Sequence, residues 1–162
     1  MSGLVKQVGM AQFAIGREQE QLKTLGLGSC VGVCLYDARL RLGGMVHVML
    51  PEMSQYQDRE SQAKYADTGI RLLLQEMAAL GSAAGRMQCK LAGGAQMFTF
   101  AGQSDVMRIG QRNVAMSKQV LAALGIPILA EDTGGTYGRT IQLDCATGAL
   151  EVRTIGKGTF LL

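Results

Sequence analysis

The chain predicts an α/β (α+β) sandwich, with mixed β-sheets and two main helices packed on them, and three observations carry that expectation. Two segments repeat apolar residues at helical spacing, and both end in Ala-Ala-Leu-Gly, at residues 78–81 and 122–125. After each comes a short apolar run closed by paired glycines, residues 87–91 before Gly93-Gly94 and residues 126–130 before Gly134-Gly135. Glycine fills 22 of 162 positions, about twice its usual share of roughly 7%, which calls for tight turns and close backbone approaches.

Residues 4–15 mix short apolar stretches with glycine and predict one or two strands before the charged run Arg17-Glu18-Gln19-Glu20. Residues 31–36 and 43–50 read as strands joined through Asp37-Ala38-Arg39, and Pro51-Glu52 ends that hairpin. Residues 53–62 are polar and predict a surface loop. Over residues 63–80, Ile70, Leu73, Leu74 and Met77 line one helix face, with Gly81 where a left-handed cap belongs. A second helix is expected over about residues 113–124, with Val114, Val120, Leu121 and Leu124 inward and Gly125 as its cap. The tail alternates enough for two more strands, joined at Thr147-Gly148. Length predicts one domain over residues 1–162.

Composition removes several function classes. A net charge of +3, with Lys and Arg scattered among acidic residues, no Trp and only four Phe, makes nucleic acid a poor partner. No apolar run reaches the length of a membrane span, and residues 1–13 lack a basic start followed by an apolar run. The expectation is a cytoplasmic protein without membrane insertion. Cys30, Cys34, Cys89 and Cys145 match neither a disulfide framework nor a CxxC pair, so reduced thiols are expected there. No large apolar stripe asks for a partner copy, and a monomer is the default.

The one histidine, His47, follows the glycine-rich segment that ends at Cys30, so a single hairpin can join a thiol and an imidazole. A thiol becomes a strong nucleophile near neutral pH when a neighbouring group favours its thiolate, which an imidazole can do. If the hairpin is centred on the Ala38–Arg39 bond, facing residues sum to 77 and Cys30 lies directly across from His47. Gly32, Cys34 and Met45 then share their face, while Val31, Val33, Leu35, Val46 and Val48 point to a core. The competing reading is a histidine hydrogen-bonded to backbone beside an ordinary glycine turn. A dinucleotide fingerprint is missed by one residue at Gly26, Gly28 and Gly32, and Cys30, Cys34 and His47 lack a fourth metal ligand. Neither a cofactor nor a metal is expected.

TLGLGSCVGVCLYD at residues 24–37, GGMVHVMLPE at 43–52, KYAD at 64–67, LAGGAQMF at 91–98, IGQRN at 109–113 and AEDTGG at 130–135 closely resemble the chemoreceptor glutamine deamidase family, CheD. That resemblance implies hydrolysis of receptor glutamine side chains to glutamate by a cysteine, histidine and threonine triad, which falls on Cys30, His47 and Thr24. It also implies a fold similar to the catalytic domain of cytotoxic-necrotizing-factor toxins. Gly28 and Ser29 would support the nucleophile's loop, whose amides can hold an oxyanion. The implied partners are methyl-accepting chemotaxis receptors and, as a non-catalytic alternative, a CheC-type phosphatase. A cysteine peptidase would share the first chemical step. The substrate, a long helical bundle, would need an exposed groove, with residues 53–62 or 98–108 as walls and Phe98 and Phe100 as candidate contacts.

Overall fold

The computed structural model describes residues 3–53, 61–97 and 108–162. Their order is β1 (Val5–Gln7), β2 (Phe13–Arg17), β3 (Gln21–Leu27), β4 (Val31–Asp37), β5 (Leu42–Val48), α1 (Ala66–Ala79), β6 (Met87–Gly93), α2 (Ile109–Leu124), β7 (Ile128–Thr133), β8 (Arg139–Asp144), β9 (Leu150–Thr154) and β10 (Gly158–Leu161). Two five-stranded mixed sheets result, ordered β1-β3-β8-β9-β10 and β2-β5-β4-β6-β7. Each has one parallel pair, β1 with β3 and β6 with β7. No helix among the described residues is long and apolar enough to cross a membrane.

Two separate apolar clusters define three layers. One lies between the helices and the β2-β5-β4-β6-β7 sheet: Val31, Val33, Leu35, Val46 and Val48 meet Ile70, Leu73, Met77, Val120 and Leu121. The other fills the space between the sheets, where Cys30, Cys34 and Met45 meet Leu22, Leu27, Ile141, Leu143 and Val152. β4 and β5 are buried on both faces, which is why they read as near-continuous runs of Val, Leu, Gly and Cys rather than as alternation with polar residues. Both helices pack on the same sheet, leaving the other with a solvent face.

The expected helix caps are in place, with Gly81 and Gly125 at φ +104 and +73. α2 begins at Ile109, four residues before the expected start. β3 falls where a glycine-rich approach to Cys30 was expected rather than a strand, and the tail holds three strands instead of two. The loop over residues 53–62 lies largely outside the described residues, and so do Phe98, Phe100 and most of the 98–108 segment.

The β4–β5 register differs from expectation in an instructive way. Val31 faces Val48, Gly32 faces His47 and Cys34 faces Met45, so facing numbers sum to 79 and not 77. Asp37 causes the difference. Its Oδ1 accepts the amides of Arg39 (3.0 Å) and Leu40 (3.3 Å), an Asx turn that widens the loop to four residues, and Arg41 closes it at φ +50. Because the slip is two residues, every side chain keeps its expected face. Cys30 becomes the diagonal neighbour of His47 rather than its direct partner.

Candidate active site

β3 runs in one sheet and β4 in the other, so the chain must cross between them at residues 28–30. Gly26, at φ +70, opens that crossing through a bulge in the β3–β8 pairing between Thr24 and Leu27. The crossing turn is then pinned from the side by the end of β6 and the residues after it. Gly94 donates its amide to Cys30 O (2.8 Å), and Ala95 donates to Gly28 O (2.8 Å). Gly93 lies so close that a Cβ there would sit 2.2 Å from Cys30 O. The paired glycines after β6, visible in sequence as turn formers, therefore shape the nucleophile's loop.

His47 projects from β5 into the space between the sheets and is 0% exposed. Its backbone is gripped by the segment leading into β2, through Ala11 N to His47 O and His47 N to Gln12 O, both 3.0 Å. Thr24, on β3 of the facing sheet, reaches across: its Oγ1 lies 2.7 Å from His47 Nδ1 and 2.6 Å from Val8 O. Val8 O can only accept, so the single hydroxyl hydrogen goes there, and Oγ1 must accept from Nδ1–H. The neutral ring thus carries its lone pair on Nε2, which has no hydrogen-bond partner among the described residues.

Burial sets the resting protonation states. It pushes the His47 pKa down to about 4 and the Cys30 thiol above its ordinary value, with Cys30's own amide acting the other way. At neutral pH both groups are uncharged, in place of a standing thiolate–imidazolium pair. Cys30 is 9% exposed and His47 0%, so both side chains are largely withdrawn from solvent. The exposed groove that the resemblance implies is therefore not lined by the imidazole, which is fully buried. Among the described residues no group of three or more His, Cys, Asp or Glu is arranged to hold a metal.

Sequence reasoning missed Asn113. It lies on α2 inside the IGQRN segment, is 0% exposed, and donates to Ser29 O (3.0 Å) and Met49 O (2.9 Å). A polar residue near a helix start ordinarily reads as solvent-facing. Arg139 was missed too: its Nε meets Asp132 at 2.8 Å, its Nη1 donates to Gly93 O at 3.3 Å, and its guanidinium stacks on Tyr137. The signal for Asp132 was the AEDTGG segment, but its basic partner lies seven residues on, in a strand.

A hydroxyl and an imidazole joined across two facing sheets, with a thiol at the diagonal position on the same face but not hydrogen-bonded to Nε2, are groups suited to acyl transfer through sulfur. Residues 49–154 match the family model CheD, chemotactic sensory transduction. That span starts two residues after His47, while full-length relatives align over nearly the whole chain. The probable chemoreceptor glutamine deamidase CheD of Syntrophomonas wolfei is 51% identical, covering 94% of both chains. That of Caldanaerobacter subterraneus is 49% identical over 98% of each, and the chemoreceptor glutamine deamidase CheD of Halalkalibacterium halodurans is 48% identical over 98% of each. The chain belongs to the CheD family. In fold alone, it resembles the crystal structure of Neisseria meningitidis protein NMB0706, of family DUF152, with a TM-score of 0.51 at 10% identity over 82% of this chain and 64% of that one.

Proposed function

We propose that this chain is a chemoreceptor glutamine deamidase, a hydrolase that converts glutamine side chains of methyl-accepting chemotaxis receptors to glutamate and releases ammonia. The catalytic groups are Cys30, His47 and Thr24, within one CheD-like domain over residues 1–162 whose fold is akin to the cytotoxic-necrotizing-factor catalytic domain. The observation that supports this best is the Thr24–His47 bond, 2.7 Å long, which leaves Nε2 bare on the face shared with Cys30.

Because thiol and imidazole both rest neutral, the proton leaves sulfur as sulfur attacks. Cys30 Sγ adds to the carboxamide carbon while its proton passes to Nε2, and Thr24 Oγ1 accepts the Nδ1–H of the imidazolium so formed. The amides of Ser29 and Cys30 would hold the developing oxyanion, since the Gly28 amide is already given to Gly26 O at 3.0 Å. The C–N bond then breaks, His47 returns the proton to the departing nitrogen, and ammonia leaves a thioester. Water, giving a proton to Nε2, attacks that carbonyl and frees the thiol and the glutamate. Each turnover replaces a neutral amide with a carboxylate, which alters repulsion between neighbouring receptor helices.

Incubation with a receptor cytoplasmic fragment should raise its mass by about one dalton per converted glutamine through this hydrolysis. Cys30→Ala should lower the rate about 10⁴-fold or more, since no other group can carry the acyl intermediate. No mass change, with tight binding to a CheC-type phosphatase, would replace the enzyme with a regulatory binding module. Fragment release would point to a peptidase.

A further inference from the structure

We infer that Asn113 is a positioning residue for the reaction, setting the turn of Cys30 against the strand of His47. This rests on the reading of those two residues as the reacting pair. The β4–β5 ladder stops at Val31–Val48. Beyond it the strands part to different neighbours: Cys30 O accepts from Gly94 N, and Met49 N donates to Lys64 O at 2.8 Å. The thiol and the imidazole therefore lie on either side of the point where the sheet no longer holds its own register.

Asn113 spans that gap. Its Nδ2 gives one hydrogen to Ser29 O, the carbonyl just before Cys30, and the other to Met49 O, two residues beyond His47. One planar carboxamide thus spaces two carbonyls that the ladder has released. The opposite amide orientation would set Oδ1 against two carbonyl oxygens, so the partners fix it. Oδ1 itself is buried without a partner among the described residues. A clip chosen for stability alone would have no reason to bury a bare acceptor at this spot.

The helix is held at the height this requires. Gly110 brings α2 so near the Gly94–Ala95 backbone that a Cβ there would sit 2.3 Å from Ala95 O, and Ser117 Oγ caps Asn113 O at 2.7 Å. A serine at 113 would carry one donor rather than two, and a charged donor would have to be buried without a counterion.

The test is a cycle between Asn113 and His47, read by deamidation of a receptor fragment and by iodoacetamide alkylation of Cys30 followed by peptide mass. Asn113→Ala should lower kcat about ten- to hundredfold with KM within about twofold, as misplacement of a reacting group does. It should slow Cys30 alkylation, yet slow it no further once His47→Ala is present, because its effect runs through that partner. Asn113→Ser, which keeps one donor, should fall between and serves the same cycle if the alanine variant does not fold. Unchanged kcat in both variants, or equal slowing of alkylation with and without His47, overturns the inference. If the wild type leaves receptor glutamines untouched, the deamidase reading falls while the alkylation cycle still decides the role of Asn113. Alkylation unaffected by His47→Ala removes the pair and this inference with it.

Discussion

The two ends of β4 treat hydrogen bonds in opposite ways. At the Asp37 end a fully buried carboxylate is saturated: Oδ1 takes two amides, and Oδ2 takes the Ser82 hydroxyl at 2.6 Å and the Arg86 guanidinium at 3.2 Å. At the Cys30 end stand the buried side-chain atoms without partners among the described residues, His47 Nε2, Asn113 Oδ1 and Arg139 Nη2. All three side chains border the crossing turn, Arg139 through Gly93 and through its ladder position opposite Leu27. An unmade buried hydrogen bond costs about 1–3 kcal/mol, so the strand is anchored at one end and held incomplete at the other. A visiting carboxamide brings both donors and acceptors, and only the incomplete end has use for them.

The comparison breaks if the anchored end also governs catalysis, and the largest effect should test that first. Asp37→Ala leaves two turn amides and a buried hydroxyl unserved, and should cost about 3 kcal/mol in a urea unfolding titration. Deamidation by the still-folded variant should stay at the wild-type kcat. Burial alone would raise the Asp37 pKa, but Ser82, the Leu40 amide and Arg86 bring it below its ordinary value. Its stabilisation is therefore complete above the ordinary carboxylate range and is lost as pH falls through the lower folded value. The alanine variant should lack that acid limb.

His47 gives the opposite end its own pH signature, of similar or slightly smaller size. With its pKa pushed down to about 4 by burial, the folded protein keeps the ring neutral while the unfolded chain takes up a proton near pH 6.5. Stability should fall as pH drops from about 6.5 to about 4, by about 3 kcal/mol in total. His47→Gln should flatten that interval in urea titrations run across it. A wild-type slope in the glutamine variant would show that the ring is not held in a dry, neutral state.

How legible these features are in sequence follows from what each residue faces. The β4–β5 hairpin, both helix faces and their glycine caps were legible because burial leaves a periodic apolar pattern. β3 was not, since its inward positions include Thr24, a polar residue that breaks the alternation. The register was misplaced by two because an Asx turn at Asp37 depends on one carboxylate geometry, and composition cannot display it. Cys30 and His47 stood out as a unique imidazole beside a glycine-rich thiol, and Thr24 came through family resemblance. Asn113 stayed hidden because its partners are backbone carbonyls far away in the chain, and Arg139 because its pairing with Asp132 depends on how the intervening turn brings the two strands together.

The smallest effects should come from Thr24, and they sharpen what incompleteness means at this end. Thr24→Val keeps shape and volume but removes the hydroxyl that both donates to Val8 O and accepts from Nδ1–H. The ring loses its tautomer preference, a population with the lone pair on Nδ1 cannot serve as base toward Cys30, and kcat should fall about ten- to hundredfold. Thr24→Ser keeps the hydroxyl and loses one methyl group, so its rate should stay within about threefold of wild type, the residual loss coming from a freer rotamer. The contrast between these two variants, measured by the mass assay at one pH, isolates the hydrogen bond from the packing. If serine fails as badly as valine, the facing sheets position His47 by contact alone, and the tautomer argument has no role in the site.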